Sequence, residues 1–294
     1  MSSGGVQARD RTKAGGTHRA AKRAKSAGRE AAQSTTLQLA GRLGLVCRGV
    51  LYGLIGFLAL QVAFGRSGEE ADSTGALRAV SDTPMGSVVL WLLAVGFAGL
   101  ALWQLAEAAF ARGVETKDRL LSLGRVAVYG VLCVSTVLFI VDEGSQGSGD
   151  QKSQDATARA MEHSGGRILV AAVGLAIVVV GIVLVVRGVR RSFLENVDLS
   201  GASATTRRVV EGLGLVGNVA RGVAFGAVGV LVVQAAVTYD PAKAKGLDGA
   251  LRALAGAPLG RWLLVAVALG LVLYGVYSCC QARYQRTRAV AAST

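Results

Sequence analysis

The sequence has few of the residues from which catalytic and metal sites are built. Its 294 residues include two His and four Cys, and their spacing matches neither a zinc motif nor a disulfide framework. No P-loop and no Ser/His/Asp set is present either. We therefore expect no enzymatic activity, no metal and no cofactor. We interpret the Cys residues as small apolar packing groups, with acylation of Cys279 or Cys280 as the alternative.

Charge is absent from several long stretches. Residues 87–106 and 168–186 contain no Asp, Glu, Lys or Arg, and 52% of the chain is hydrophobic. A helix rises about 1.5 Å per residue, so stretches of this length span the roughly 30 Å hydrocarbon core of a bilayer. They also lack the polar stripe of a long soluble helix. We predict six transmembrane helices, at 43–64, 87–110, 120–141, 168–186, 216–237 and 262–280.

The hydrophobic stretches belong to a unit that occurs three times. Eight residues of the first copy recur in the third copy at one constant offset: Gly44, Arg48, Gly49, Val50, Gly53, Gly56, Leu58 and Gln61 match Gly217, Arg221, Gly222, Val223, Gly226, Gly229, Leu231 and Gln234. The middle copy has diverged, and it matches the first at Arg125, Tyr129 and Gly130. Repetition of this kind indicates an architecture built from one supersecondary unit.

The pattern predicts an all-α integral membrane bundle of three repeated hairpins, in a pseudo-threefold or a linear array. Each repeat holds two transmembrane helices. The predicted boundaries are a disordered basic cytoplasmic tail at 1–40, repeat 1 at 41–113, repeat 2 at 114–192, a cytoplasmic linker at 193–212, repeat 3 at 213–285 and a cytoplasmic tail at 286–294.

Two segments also resemble a known family. CRGVLYGLIGFLAL and ARGVAFGAVGVLVV are each followed by an Ala-Leu-Arg-Ala stretch, a Pro-x-Gly and a second apolar helix. This pattern resembles an actinobacterial membrane-protein family of unknown function, whose two-helix unit occurs three times per chain. The resemblance covers about residues 41–285 and is weakest in the middle copy. It implies six transmembrane helices in the plasma membrane of a high-GC Gram-positive bacterium, and it implies no catalytic residues.

Positive charge is concentrated on one side of the predicted spans. Residues 1–42 hold nine Lys or Arg against two acids. With a cytoplasmic N-terminus, 23 of the 32 Lys and Arg lie on the cytoplasmic side, as the positive-inside rule requires. We predict a multi-pass plasma-membrane protein with both termini in the cytoplasm. We interpret the charge of the basic tail as a topology signal, with binding of anionic lipid headgroups as the alternative, and we expect no binding of nucleic acid.

Three Arg occupy one repeat position, about one turn into the cytoplasmic ends of the first helices: Arg48, Arg125 and Arg221. The simplest interpretation is that each guanidinium extends to the lipid headgroups. The alternative is that the three converge on a pseudo-threefold axis and bind an anion or a lipid headgroup. A third interpretation pairs an Arg with a neighbouring helix, and Glu107 is predicted at the depth of Arg48.

Small residues form a stripe on the first helices of repeats 1 and 3. Because lipid supplies no hydrophobic drive between helices, close packing at small residues takes its place. We predict that six glycines lie at helix contacts: Gly49, Gly53, Gly56, Gly222, Gly226 and Gly229. The first helix of repeat 2 offers only Gly130, so we expect it to lie farther out.

Two functions are compatible with these features. The leading hypothesis is a structural or interaction membrane protein that assembles with itself or with a membrane partner through its Gly faces. The rival is a pathway or binding site for a small solute, an ion or a lipid, with the three Arg at its cytoplasmic mouth. A groove that reaches past Tyr52, Tyr129 and Phe225 would favour the rival, and a filled bundle would favour the first.

The charge distribution gives a testable topology. Reporters fused after residue 294 and inserted at residue 113 should give cytoplasmic signals, and a reporter near residue 150 should give an exterior signal, because Lys and Arg are retained on the cytoplasmic side. The measurement is paired phosphatase and fluorescent-protein fusions. A cytoplasmic signal at residue 150 would contradict the six-span topology.

Overall fold

The computed structural model describes residues 35–66, 69–110, 116–142 and 147–284, and within these ranges it is built from nine α-helices and two 3-10 helices. The helices are α1 (Thr35–Ala63), α2 (Ser73–Ser81), α3 (Gly86–Phe110), α4 (Thr116–Val141), α5 (Gly149–Met161), α6 (Gly166–Val189), α7 (Ala204–Thr238), α8 (Leu247–Ala255) and α9 (Gly260–Tyr284). The 3-10 helices are Ser192–Asn196 and Pro241–Lys243. No strand occurs in the described ranges.

Six of these helices, α1, α3, α4, α6, α7 and α9, are long and apolar enough to cross a membrane. They coincide with the six predicted spans, and each repeat supplies two of them with a short helix between. Two predicted boundaries are wrong. Helix α1 begins at Thr35, inside the predicted disordered tail, and α7 begins at Ala204, inside the predicted linker. Residues 1–34 and 285–294, which hold most of the predicted tails, lie outside the described residues.

The predicted linker is also folded between the two helices. Phe193 in the first 3-10 helix packs edge-on against Tyr277, with ring centroids 5.4 Å apart. A side chain at Gly214 of α7 would collide with the Phe193 ring. Ser203 then caps α7 by accepting a hydrogen bond from the Thr206 amide at 3.1 Å, as an N-cap residue does. The connection between repeats 2 and 3 is therefore anchored on α7 and α9.

The repeats pack in a closed cycle. The second helix of each repeat packs against the first helix of the next: α3 against α4, α6 against α7, and α9 against α1. The last of these contacts joins repeat 3 to repeat 1. A linear array would leave α1 and α9 apart, so the pseudo-threefold arrangement is the observed one.

Glycines make this contact close in two of the three interfaces. A Cβ placed on Gly49 would lie 2.7 Å from the Gly275 carbonyl oxygen, and one on Gly56 would lie 2.7 Å from the Ala268 carbonyl oxygen. The α6–α7 interface uses the same positions, with Gly222 and Gly229 against Gly181 and Gly174. These four glycines of the first helices lie at helix contacts as predicted.

Gly53 and Gly226 differ from the prediction. A Cβ on either would have no atom within 4 Å. At about 100° per residue, Gly53 is rotated by about 40° from Gly49, toward the exposed Val50 and Phe57. Its backbone still borders α9, but a side chain there would extend outward. The contact face therefore has a spacing of seven residues, and the central glycine of each stripe is not part of it.

Repeat 2 does not close on itself. In repeat 1, α1 packs against α3, and in repeat 3, α7 packs against α9, whereas the described parts of α4 and α6 do not pack together. Gly44 allows the first approach, since a Cβ there would collide with the Gly96 carbonyl oxygen. The corresponding residues of repeat 2 are Leu121 and Ala176. Helices α4 and α6 are accordingly the least buried of the six spans, as expected for α4.

The two classes of glycine should respond differently to substitution. Gly49→Leu and Gly222→Leu should each lower the free energy of unfolding by about 1–3 kcal/mol, because the new side chain must displace a neighbouring backbone. Gly53→Leu and Gly226→Leu are the matched controls and should be close to silent. Thermal unfolding in detergent measures the difference. Equal destabilisation in all four variants would contradict the seven-residue contact face.

Candidate functional site

The candidate site is a cluster of Arg and Tyr side chains at the centre of the bundle, which we call the Arg–Tyr cluster: Arg48, Arg221, Tyr52, Tyr129 and Tyr274. Arg48 is 8% exposed and donates three hydrogen bonds. They run to Tyr129 Oη at 2.9 Å, Gln281 Oε1 at 2.7 Å and Ser278 Oγ at 3.1 Å. Tyr129 belongs to repeat 2 and the other two acceptors to repeat 3. A single guanidinium from repeat 1 therefore joins all three repeats.

Arg221 of repeat 3 lies on the other side of the same tyrosine. It donates a hydrogen bond to Tyr274 Oη at 2.7 Å, and its guanidinium carbon lies 5.0 Å from the centroid of that ring. The rings of Tyr52 and Phe225 lie at 5.3 and 5.4 Å. The Arg48 guanidinium also lies 5.4 Å from the Tyr274 ring. Aromatic faces attract cations at these distances, so the Tyr274 ring stabilises both guanidinium groups.

The two positive charges have no acidic partner among the described side chains. Every ion pair within 4.0 Å in the described ranges involves other residues. The Nε of Arg221 is buried and has no hydrogen-bond partner there. The side chain of Glu107, the predicted partner of Arg48, lies outside the described residues. The cluster is therefore an electropositive centre, stabilised by neutral acceptors and aromatic rings.

The sequence shows that these Arg share one repeat position, but it does not predict the direction of the Arg48 side chain. Extension to the headgroups is wrong for Arg48, whose donors bond inward to three side chains. Arg48 and Arg221 converge on the Tyr274 ring, whereas the alternative predicted convergence of all three Arg. Arg125 of repeat 2 is partly buried. Its role in anion binding remains a prediction.

Sequence reasoning missed several partners in the cluster. Tyr52 and Tyr129 follow their Arg by four residues in repeats 1 and 2, a spacing that puts them on the Arg face of the helix. Tyr274 gives no repeat signal, because Leu100 and Val180 occupy its position in the other repeats. Only the packing of α9 beside α1 and α7 brings it between the two Arg.

The cluster is partly exposed. Its members Tyr52 and Arg221 are partly exposed, as are the nearby Phe225 and Arg125, whereas Tyr129 and Tyr274 are buried. A separate cavity of about 180 Å³ lies farther along α4 and includes Leu51, Phe97 and Thr136 in its lining. No Arg of the cluster lines that cavity. The bundle is therefore not completely filled in the described ranges.

At the opposite end of the bundle, three carboxylates link the short helices. Asp150 of repeat 2 accepts from the Gly246 and Gly249 amides of repeat 3, at 2.8 and 3.1 Å. Asp248 accepts from the Ala71 amide of repeat 1 at 2.8 Å. Asp72 of repeat 1 lies so close to Gly149 of repeat 2 that a side chain at Gly149 would collide with it. We call this set of three, Asp72, Asp150 and Asp248, the carboxylate ring, because each member reaches the next repeat.

Burial of Asp72, one member of the carboxylate ring, costs free energy. Asp72 is 3% exposed, and its Oδ1 caps α2 by accepting from the Gly75 amide at 2.9 Å, while its Oδ2 has no described partner. Burial raises the pKa of Asp72, and the charges of Asp248 and Asp150 raise it further. The neighbouring Glu70 has a raised pKa for the same reasons, burial and then the charge of Asp72. The described residues contain no group of three ligands arranged for a metal ion.

Comparisons with known proteins place this architecture in a family. Three segments of the chain, residues 43–111, 122–191 and 216–285, match the family described as Domain of Unknown Function (DUF1206). The chain belongs to this family. The three matches correspond to the three repeats of the bundle, each with its two transmembrane helices.

A relative of the chain occurs outside the actinobacteria. The "Uncharacterized protein YxxB" of Bacillus subtilis (strain 168) is 32% identical to the chain over 253 residues, which cover 83% of the chain and 90% of that protein. The actinobacterial origin implied by the sequence resemblance therefore has no support. No solved structure matches the chain.

The carboxylate ring makes stability depend on pH. Because the pKa of Asp72 is raised in the folded state, ionising Asp72 destabilises the fold, and stability should rise as pH falls through the raised pKa toward about 4. Asp72→Asn keeps the capping oxygen and removes the charge. We expect this variant to gain stability over the wild type at pH 7, and the gain to shrink toward pH 5. Thermal unfolding in detergent at several pH values measures it.

Asp248→Asn is the control for this comparison. Its carboxylate accepts from the Ala71 amide and, at 2.7 Å, from Arg252 Nε, so loss of its charge should destabilise the protein at pH 7. If Asp72→Asn destabilised the protein as much as Asp248→Asn, the proposed cost of the Asp72 charge would be wrong.

Proposed function

We propose that the protein is a multi-pass plasma-membrane protein, with both termini in the cytoplasm, that binds an anion at its Arg–Tyr cluster and catalyses no reaction. The six apolar helices and the excess of Lys and Arg on one side support the location and the orientation. The absence of catalytic motifs from the sequence supports a binding role. The bilayer itself is the first partner in this proposal.

The observation that carries the proposal is the convergence of Arg48 and Arg221 without a described acid. A charge inside a membrane protein is costly unless it is paired, and such charges usually mark a binding site or a pathway. Planar guanidinium groups match the geometry of phosphate and carboxylate oxygens. The side chain of Arg221 is partly exposed, so its guanidinium can be approached by such an oxyanion, although its unpartnered Nε is itself buried.

A structural role is the second candidate, and one observation favours it. Arg48 already bonds to repeats 2 and 3 through neutral acceptors, which ties the bundle together without a ligand. Assembly with a partner through the Gly faces is less well supported, because Gly49, Gly56, Gly222 and Gly229 are all in contact within the chain. A second copy would have to bind elsewhere.

Titration with inorganic phosphate separates the two candidates. Protein purified in a non-ionic detergent is titrated with phosphate, against chloride at matched ionic strength, while the unfolding temperature and tyrosine fluorescence are recorded. We expect phosphate to raise the unfolding temperature. Arg48→Lys and Arg221→Lys should each weaken the phosphate effect by about tenfold or more, because Lys lacks the bidentate fork.

Arg190→Lys, at an exposed position after α6, is the matched control and should bind phosphate like the wild type. The cluster variants should also be less stable without phosphate, which both candidates predict, so only the phosphate-dependent change is compared. If phosphate raises the unfolding temperature of none of the four proteins, or raises that of the wild type and the three variants equally, the anion-binding proposal fails and the structural role remains.

A further inference from the structure

The three repeats differ at one face of their first helices. In repeat 1, Leu51 on this face is 3% exposed. Ala224 takes the same position in repeat 3 and is 1% exposed, whereas Val128 in repeat 2 is 49% exposed. Since one sequence position is covered twice and open once, the exposure of Val128 results from the missing contact between α4 and α6.

The second helices show the same difference. Leu93 of α3 is 2% exposed and Val267 of α9 is 4% exposed, but Val173, their counterpart on α6, is 48% exposed. Val180 lies about two helical turns from Val173, nearer the Arg–Tyr cluster. It occupies the position of the buried Leu100 and Tyr274, and it is also exposed. Helices α4 and α6 therefore border an apolar lateral seam, lined by Val128, Val173 and Val180.

The seam leads to the Arg–Tyr cluster. Arg125 precedes Val128 by three residues on α4, so the two side chains are about 60° apart around the helix. In repeat 3 the residues equivalent to Arg125 and Val180 are Arg221 and Tyr274, which are joined by a hydrogen bond. Arg125 and Val180 therefore occupy, on the two helices that border the seam, the positions that are in contact in repeat 3.

We infer that the seam holds an anionic phospholipid, with an acyl chain between α4 and α6 and the phosphate at the Arg–Tyr cluster. This inference rests on the proposed anion binding and names its ligand class. Two properties of the seam fit one molecule: valine walls facing the bilayer suit an acyl chain, and positive charge at the headgroup depth suits a phosphate. A soluble anion has no apolar surface to bury against the valines of the seam.

Filling the seam tests the inference. Val128→Trp should obstruct the acyl chain, and Val134→Trp is the matched control, because Val134 is an exposed valine on the same helix whose counterparts Phe57 and Val230 are exposed in the other repeats. Retention of phosphatidylglycerol, with phosphatidylcholine as the neutral comparison, is measured by native mass spectrometry. We expect Val128→Trp to reduce phosphatidylglycerol retention about tenfold and Val134→Trp to leave it unchanged.

A measurement on the wild type avoids any effect of Trp on folding. Photoactivatable phosphatidylglycerol with the reactive group on its acyl chain should label peptides at Val128, Val173 and Val180 more than the peptide at Val134. Excess phosphatidylglycerol should compete with this labelling, and excess phosphatidylcholine should not. Equal labelling at Val134, or equal competition by both lipids, would overturn the inference.

The outcomes distinguish the inference from the proposal beneath it. If Val128→Trp binds inorganic phosphate normally but loses phosphatidylglycerol, the lateral lipid site is supported. If Arg48→Lys loses phosphate while Val128→Trp retains phosphatidylglycerol like Val134→Trp, anion binding stands and the seam does not hold the lipid. If phosphate never binds, the proposed function itself has failed.

Discussion

The structure depends on one repeated contact, in which the first helix of each repeat approaches the second helix of the preceding repeat. In two of the three interfaces a backbone carbonyl occupies the space that a Cβ would need, at Gly49 and at Gly222. Dispersion between closely packed backbones stabilises helices in lipid, where burial of apolar surface gives little. Because the contact joins repeat 3 to repeat 1, it also closes the cycle and creates a central axis.

The axis explains the two polar sites of the molecule. Groups at one repeat position are brought together wherever the position faces the axis, so Arg48 and Arg221 meet around Tyr274. At the opposite end, Asp150 and Asp248 cap the next repeat. Positive charge at one end of the bundle and negative charge at the other therefore follow from the same repetition. Buried side-chain atoms without a described hydrogen-bond partner include Arg221 Nε at one end and Asp72 Oδ2 and Glu70 Oε2 at the other.

Departure from the symmetry is as informative as the symmetry itself. Repeat 2 has Leu121 and Ala176 where the other repeats have Gly, and the described parts of its two long helices do not pack together. Val128, Val173 and Val180 are exposed in this repeat.

The sequence by itself determined the six long apolar helices, the three repeats and the shared repeat position of Arg48, Arg125 and Arg221, because run length, charge and internal identity are local properties. It could not determine that a side chain at Gly53 would extend outward. Gly53 is rotated by about 40° from Gly49 around the helix, and the local pattern does not show where the neighbouring helix lies. The partners of Arg48 were also beyond it, since Ser278 and Gln281 are more than 200 residues away in sequence. Only the tertiary structure, by packing α9 against α1, decided that two buried positive charges share one tyrosine.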